Sequence, residues 1–333
     1  MSRQQTDILK QPLPTILFTL VALLVAQTLR ATTAAYPAES PAGALSPLGE
    51  WIDALLGEWG IVAVVLSVLV ASVIITRIIA RYSLSVVRSF VPMVLYVVGV
   101  CGVLFPVGSA ALMLALLMMV HATDLMLMSF KRTERFSEVM RASFWSGLAT
   151  LIVPDMVYLL ALLPLQWLIW QRSPREMVAG VIMALLPLLP ASFCWWVGGK
   201  EPLWLFGEWQ AAITTPHTPD LALLYQQCGG LGSALLLGTL LVLTLASVVV
   251  FLVGYTSMRL RARKGHIYFA TLFLVGLFML LCGSQPIVAL PIMGYASVPL
   301  IHTFFVRRKG ALSATIYIIV VCLSLLAATL PLL

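Results

Sequence analysis

The chain has 333 residues, of which 61% are hydrophobic and only 10% charged, with a mean hydropathy of +1.03. That composition leaves too little polar side chain to clothe a water-soluble globule, so a soluble enzyme or binding domain is excluded and the solvent is lipid. The net charge of +7 arises from short basic clusters between apolar runs, not from a basic module with aromatic readers, and this excludes nucleic acid as a partner.

The first apolar run, residues 13–26, follows Arg3 and Lys10 and precedes Ala31-Thr32-Thr33-Ala34-Ala35. The pattern mimics a signal peptide but reads as a retained first helix, and both readings put residue 36 outside. Residues 31–59 then form an outer loop. In it Leu48, Trp51, Ile52, Leu55, Leu56 and Trp59 have the spacing of one apolar helix face, with Glu50, Asp53 and Glu58 among the other positions. The expectation is an amphipathic helix near 48–59 lying in the membrane interface, its tryptophans at headgroup depth.

Runs 60–76, 110–128, 231–253 and 311–330 reach the roughly 17 to 25 residues that a helix needs to cross about 30 Å of hydrocarbon. Phe105-Pro106-Val107-Gly108 and Gly283-Ser284-Gln285-Pro286 mark outer turns. Residues 142–170 are too long for one plain helix and short for two, and Pro154-Asp155 divides them into two short or tilted helices. Asp155 there either caps the following helix or stands at a cavity mouth.

A second outer loop, 198–230, carries Trp204, Trp209 and the breakers Pro202, Pro216 and Pro219. Leu48-Gly49-Glu50-Trp51, Leu56-Gly57-Glu58-Trp59 and Phe206-Gly207-Glu208-Trp209 echo one another. The echo reads either as ordinary membrane-surface composition or as two related helices framing one outer site.

The basic residues orient the chain. They cluster as Arg3 and Lys10; Arg77, Arg81 and Arg88; Lys131, Arg132, Arg135 and Arg141; Arg172 and Arg175; Arg259, Arg261, Arg263 and Lys264; and Arg307, Arg308 and Lys309. Placing every cluster in the cytoplasm requires an even number of crossings between successive clusters. The expected fold is all-α: a single transmembrane domain over residues 1–333, a polytopic bundle of about eleven membrane helices, two of them short around Pro154. It sits in a bacterial inner membrane, N-terminus cytoplasmic and C-terminus periplasmic.

Acidic residues gather on the opposite side: Glu39, Glu50, Asp53, Glu58, Asp155, Glu201, Glu208 and Asp220. Asp155, Glu50, Asp53 and Glu39 are the candidate catalytic carboxylates of an outer site, and Glu208 is a candidate substrate contact. His121 and Asp124 share a helix face near the cytoplasmic end and form a candidate ion- or proton-binding pair. Alternatively, Asp124 reaches the interface and pairs with Lys131, Arg132 or Arg135.

Of the five cysteines, no two have a C-x-x-C spacing, and the four in apolar runs read as buried small hydrophobes. His217, His266 and His302 are scattered, and no metal-ligand spacing is specific. No HExxH, Walker A, GxSxG or dinucleotide motif occurs, so neither ATP-driven transport nor serine hydrolysis has support and no cofactor is expected.

Phe105-Pro106, the stretch 131–141, Trp145-Ser146-Gly147-Leu148-Ala149-Thr150-Leu151 and Arg172 to Arg175 follow in an order that resembles an uncharacterised inner-membrane family of Bacteroidota. The chain is also faintly similar to integral-membrane glycosyltransferases that use polyprenyl-phosphate sugars. That resemblance implies a polyprenyl-phosphate-linked substrate and an acid just after the first helix, where residues 29–39 offer Tyr36 and Glu39 but no acidic pair. The functional expectation is handling of lipid-linked glycan intermediates at the outer face, with the lipid bilayer and envelope proteins as partners. A transporter or flippase and a non-catalytic scaffold are the alternatives, and whether the chain is an enzyme stays open.

Overall fold

Some prolines end a helix and others are carried within one. The computed structural model describes residues 11–33, 45–85, 87, 89–103, 109–130, 136–160, 162–170, 172–199, 201–214, 225, 231–282, 285–308 and 310–329. Its helices in chain order are α1 (Leu13–Thr33), α2 (Pro47–Leu56), α3 (Gly60–Arg81), α4 (Val91–Cys101) and α5 (Ala110–Met128). Then come α6 (Phe136–Ile152), α7 (Val157–Leu160), α8 (Leu162–Trp170), α9 (Pro174–Leu185), α10 (Leu188–Val197) and α11 (Trp204–Thr214). The last four are α12 (Leu231–Val253), α13 (Leu260–Leu281), α14 (Pro286–Arg307) and α15 (Ala311–Thr329).

Among the described residues there is no strand, and 8 helical segments are long and apolar enough to cross a membrane. They are α1, α2 running on into α3, α5, α9 with α10, α12, α13, α14 and α15. The chain is a polytopic helical membrane protein. Helices α4, α6, α7 and α8 are shorter.

The breaks have local causes. Val153 is extended at φ −125° and ψ 100° because the ring of Pro154 crowds an α conformation in the residue before it, and one 3-10 turn, Pro154–Met156, leads into α7. Pro187 separates α9 from α10. Helix α14 keeps Pro291 and Pro299 inside it, each lacking the N–H that would close a turn. It tolerates them because it is enclosed by protein: 89% of its span is buried.

Helices α4 and α14 form the centre. Every residue of α4 is buried, as is every residue of α14 from Val288 to Val306. They meet backbone to backbone at Gly99 and Gly294, where a Cβ on Gly294 would overlap the carbonyl of Gly99. Apolar side chains gain nothing by leaving lipid, so close approach at small residues is the main packing force available. Helices α12 and α13 flank α14, α1 and α3 flank α4, and α5 packs between α3 and α6. Phe18, Val62, Leu245 and Leu274 are exposed on the periphery, as suits a lipid-facing surface.

Helix α2 bears two apolar stripes. Leu48, Ile52 and Leu56 pack inward on the core, while Trp51, Leu55 and, in the 3-10 turn after the helix, Trp59 are 60%, 69% and 72% exposed. The cysteines are less uniform than expected: Cys101 is buried, Cys282 is half-buried, and Cys194 and Cys322 are exposed on apolar helices. Cys228, the turn at 104–108 and the basic stretch 131–135 lie outside the described residues.

Candidate functional site

The hydrogen bonds divide the bundle into an acidic and a basic end. At the acidic end, Asp53 Oδ1 accepts from the backbone N–H of Ala111 at 2.8 Å, in the first turn of α5. Ser109 caps the same helix by accepting from Leu112 N–H at 3.1 Å. Asp155 Oδ2 accepts from Gln285 N–H at 3.2 Å, at the N-cap of α14. Each carboxylate therefore meets the positive end of a largely buried helix that it does not belong to. Burial pushes the Asp155 carboxyl above its usual value, and the bond from Gln285 opposes this in part. The plain expectation was that Asp155 caps the helix after it. It caps α14 instead, because the fold brings the break after α6 against the start of α14.

The other candidate acids are placed differently. Glu50 is exposed in the first turn of α2, Glu208 is exposed on α11, and Glu39 lies outside the described residues. Helix α2 is anchored at its start, where Ser46 N–H donates to Ile152 O at 3.0 Å at the end of α6.

Beside that anchor lies an apolar groove of about 500 Å³. Its walls are Leu48 of α2, Phe144, Leu148 and Leu151 of α6, residues from Leu186 before α10 to Trp195 near its end, and Trp204 of α11. Trp195 stacks on Trp204 with ring centroids 4.7 Å apart. Behind the groove Leu151, Leu188, Leu205 and Trp209 form a separate buried cluster that also takes in Leu48 and Trp204. Leu48 and Trp209 belong to two of the three echoing segments, which therefore meet at this cluster. The walls hold no carboxylate, and the groove is suited to a hydrocarbon chain.

At the basic end, His121 and Asp124 turn to different neighbours. The His121 ring lies edge-on to Trp145 of α6, with centroids 5.6 Å apart. Asp124 Oδ1 accepts from the Tyr82 hydroxyl at 2.7 Å, and its Oδ2 stands 4.0 Å from Arg81. Burial, and then the hydrogen bond to Asp124, raise the Tyr82 hydroxyl well above the usual phenol range, so it stays protonated and donates. The cation beside Asp124 is Arg81 of α3; Lys131, Arg132 and Arg135 lie outside the described residues.

The last carbonyls of α5 are met from other elements. Trp170 Nε1 donates to Met126 O at 3.1 Å, Arg261 to Leu127 O at 3.3 Å, and Arg172 to Ser129 O. Arg261 also lies over the Tyr82 ring at 4.6 Å, and Arg172 pairs with Glu176 at 3.2 Å. Cations at a helix C-terminus complement its dipole, so much of the basic clustering is structural as well as topological.

The histidines that look scattered in the sequence converge here. His266 Nδ1 donates to Ala262 O at 2.7 Å, and its Nε2 faces Thr303 Oγ1 at 2.6 Å. His302, next to Thr303 in α14, places Nε2 3.3 Å from Ser89 Oγ. Periodicity does not reveal this pairing, because α13 and α14 meet only through the packing. His217 lies outside the described residues, and among those described no three His, Cys, Asp or Glu side chains gather as a metal set. Compared with protein-family models, with curated proteins and with solved structures, the chain matches none of them.

Proposed function

We propose that this protein handles lipid-linked glycan intermediates at the outer face of a bacterial inner membrane, seating the hydrocarbon chain of a polyprenyl-phosphate-linked substrate in the apolar groove between α2, α6, α10 and α11. The groove carries the reading. It has about 500 Å³ of space, walls without a charged group and a stacked tryptophan pair on one side. A pocket with such walls gains by binding an apolar chain and offers nothing to a polar solute. Envelope proteins are the partners to which such a substrate would pass.

In this reading the chain crosses the membrane about eleven times, through the eight long segments together with α4, α6 and the α7 and α8 pair. The N-terminus is cytoplasmic and the C-terminus periplasmic. The gathering of Arg81, Arg172 and Arg261 around the last turn of α5 supports this orientation, as does the placing of Asp53 and Asp155 at the other end. Helix α2 and the turn after it lie in the outer interface with Trp51, Leu55 and Trp59 turned to lipid. In this reading Asp53 and Asp155 serve as helix caps.

A flippase is the second reading, favoured by Pro291 and Pro299 inside the central helix α14, where missing backbone bonds lower the resistance to bending.

The test is crosslinking of a photoactivatable polyprenyl phosphate to the purified protein, with wild type compared to Ala191→Trp, which fills the groove. Labelling of residues on α6 and α10 that falls at least tenfold in Ala191→Trp supports the reading. Labelling unchanged by the variant, or spread evenly over the lipid-facing surface, refutes it. Accumulation of lipid-linked sugars in a deletion strain then separates glycan handling from other lipid binding.

A further inference from the structure

The outer groove leaves the basic end of the bundle unused. A cavity of about 320 Å³ opens there between the end of α3, the turn before α13 and the end of α14. Its polar lining is Ser83, Ser85, Ser257, Arg259, Thr303 and Arg307, and apolar side chains complete the wall. Among the described lining residues there is no acidic side chain. Asp124, the buried acid of this end, is engaged by Tyr82 and Arg81. Two arginines thus line a half-enclosed space, with no counter-charge among its described lining residues.

The site is held in shape before any ligand arrives. Arg307 Nη2 donates to Gly254 O and to Ser257 Oγ, each at 3.2 Å. Ser257 Oγ in turn donates to Gly254 O at 2.8 Å. The guanidinium rests directly on Gly254, where a Cβ would overlap it. Thr303 is fixed from behind by His266 and by its own bond to Pro299 O at 2.9 Å. A fixed guanidinium loses little further freedom on binding, which favours planar recognition of phosphate oxygens.

The backbone adds to the field. Arg259 is the N-cap of α13, a helix of 22 residues; no side chain caps that end and its first turn has no acid. Ala262, in this first turn, lines the cavity, so the positive end of the helix faces the same space as the two arginines. Two cations balance the roughly −1.5 to −2 charge of a phosphate monoester.

We propose that this cavity is a phosphate-binding site at the cytoplasmic end of the bundle, taking a phosphate monoester through Arg259 and Arg307. It is distinct from the outer groove and does not rest on the function proposed for that groove. The phosphate belongs either to a lipid headgroup at the inner leaflet or to a soluble ion.

The experiment uses the full-length protein in mixed micelles, with native mass spectrometry to count retained phosphatidic acid against phosphatidylcholine. In parallel, thermal unfolding is followed with and without inorganic phosphate, with chloride at matched ionic strength as control. The variants are Arg259→Gln with Arg307→Gln, Gly254→Ala, which displaces Arg307 without removing charge, and Arg308→Gln, a neighbouring surface cation outside the cavity. Wild type is expected to retain phosphatidic acid at least tenfold over phosphatidylcholine. Both cavity variants are expected to lose this preference, and Arg308→Gln to keep it. Stabilisation by inorganic phosphate without lipid preference, lost in the same variants, supports the site and assigns the phosphate to a soluble source. If wild type shows neither effect, or Arg308→Gln loses it as fully as the cavity variants, the site is disproved. Should a cavity variant fail to fold, the wild-type comparison of the two lipids and of phosphate against chloride decides alone.

Discussion

Asp155, in the turn after α6, accepts a hydrogen bond from the backbone N–H of Gln285, 130 positions later in the chain, and so closes the N-terminal end of the central helix α14. The bond ties the most irregular stretch of the first half to the most buried helix of the second.

Removing that acceptor leaves a half-buried backbone donor without its partner. Asp155→Ala is expected to lower stability by about 1 to 3 kcal/mol, and Asp155→Asn, which keeps an acceptor, by less. Thermal unfolding in detergent compares the two. An equal loss in both variants would mean that the charge, not the acceptor, matters.

The same residue predicts a pH dependence. Its carboxyl is raised above 3.8 in the folded chain, so the unfolded state gives up this proton first as pH rises. The contribution is fully present below about 3.9, the usual aspartate value, and is lost as pH climbs through the raised folded value. Melting temperature should fall over that window in wild type, and the fall should be smaller in Asp155→Asn.

Asp53 provides the parallel case at α5. Asp53→Asn is expected to keep the bond to Ala111 N–H and to support a normal lipid-linked sugar profile in a deletion strain, whereas Asp53→Ala destabilises by about 1 to 3 kcal/mol. A stable Asp53→Asn protein that fails to complement would restore Asp53 as a catalytic group.

The contact between α4 and α14 predicts an asymmetry. A methyl on Gly294 would overlap Gly99 O, whereas a methyl on Gly99 would sit 3.1 Å from Gly294 O. Gly294→Ala should therefore cost more than Gly99→Ala, with overpacking of this kind worth about 1 to 3 kcal/mol. Unfolding midpoints of the two variants give the order directly.

At the basic end, Tyr82→Phe deprives Asp124 of its closest donor. A loss of about 1 to 3 kcal/mol is expected, and it should not add to the loss in Asp124→Ala, because both remove one bond. A double-mutant cycle on unfolding free energy reads the coupling; full additivity would mean that the two side chains do not interact.

Much of the fold is legible in local pattern. The runs at 110–128 and 231–253 coincide with α5 and α12, and the break at Pro154 falls where the proline ring forbids helix in the residue before it. The helix near 48–59 is present, yet its single apolar face divides into an inward and an outward stripe, since hydropathy does not distinguish a protein neighbour from lipid. The site was less legible. Glu50, Asp53 and Asp155 look alike in the sequence, and only their neighbours separate an exposed surface acid from two helix caps.

From the sequence alone follow the lipid solvent, the helical class and the separation of basic from acidic loops, because these depend on residue type and on spacing within a single helix. Only the tertiary structure decided that Asp53 and Asp155 close the ends of α5 and α14, that His266 meets Thr303, and that Arg259 and Arg307 share one cavity. Each of these depends on which helix packs beside which, and in lipid that choice is made by close backbone approach and by individual polar bonds, neither of which leaves a periodic trace in the chain.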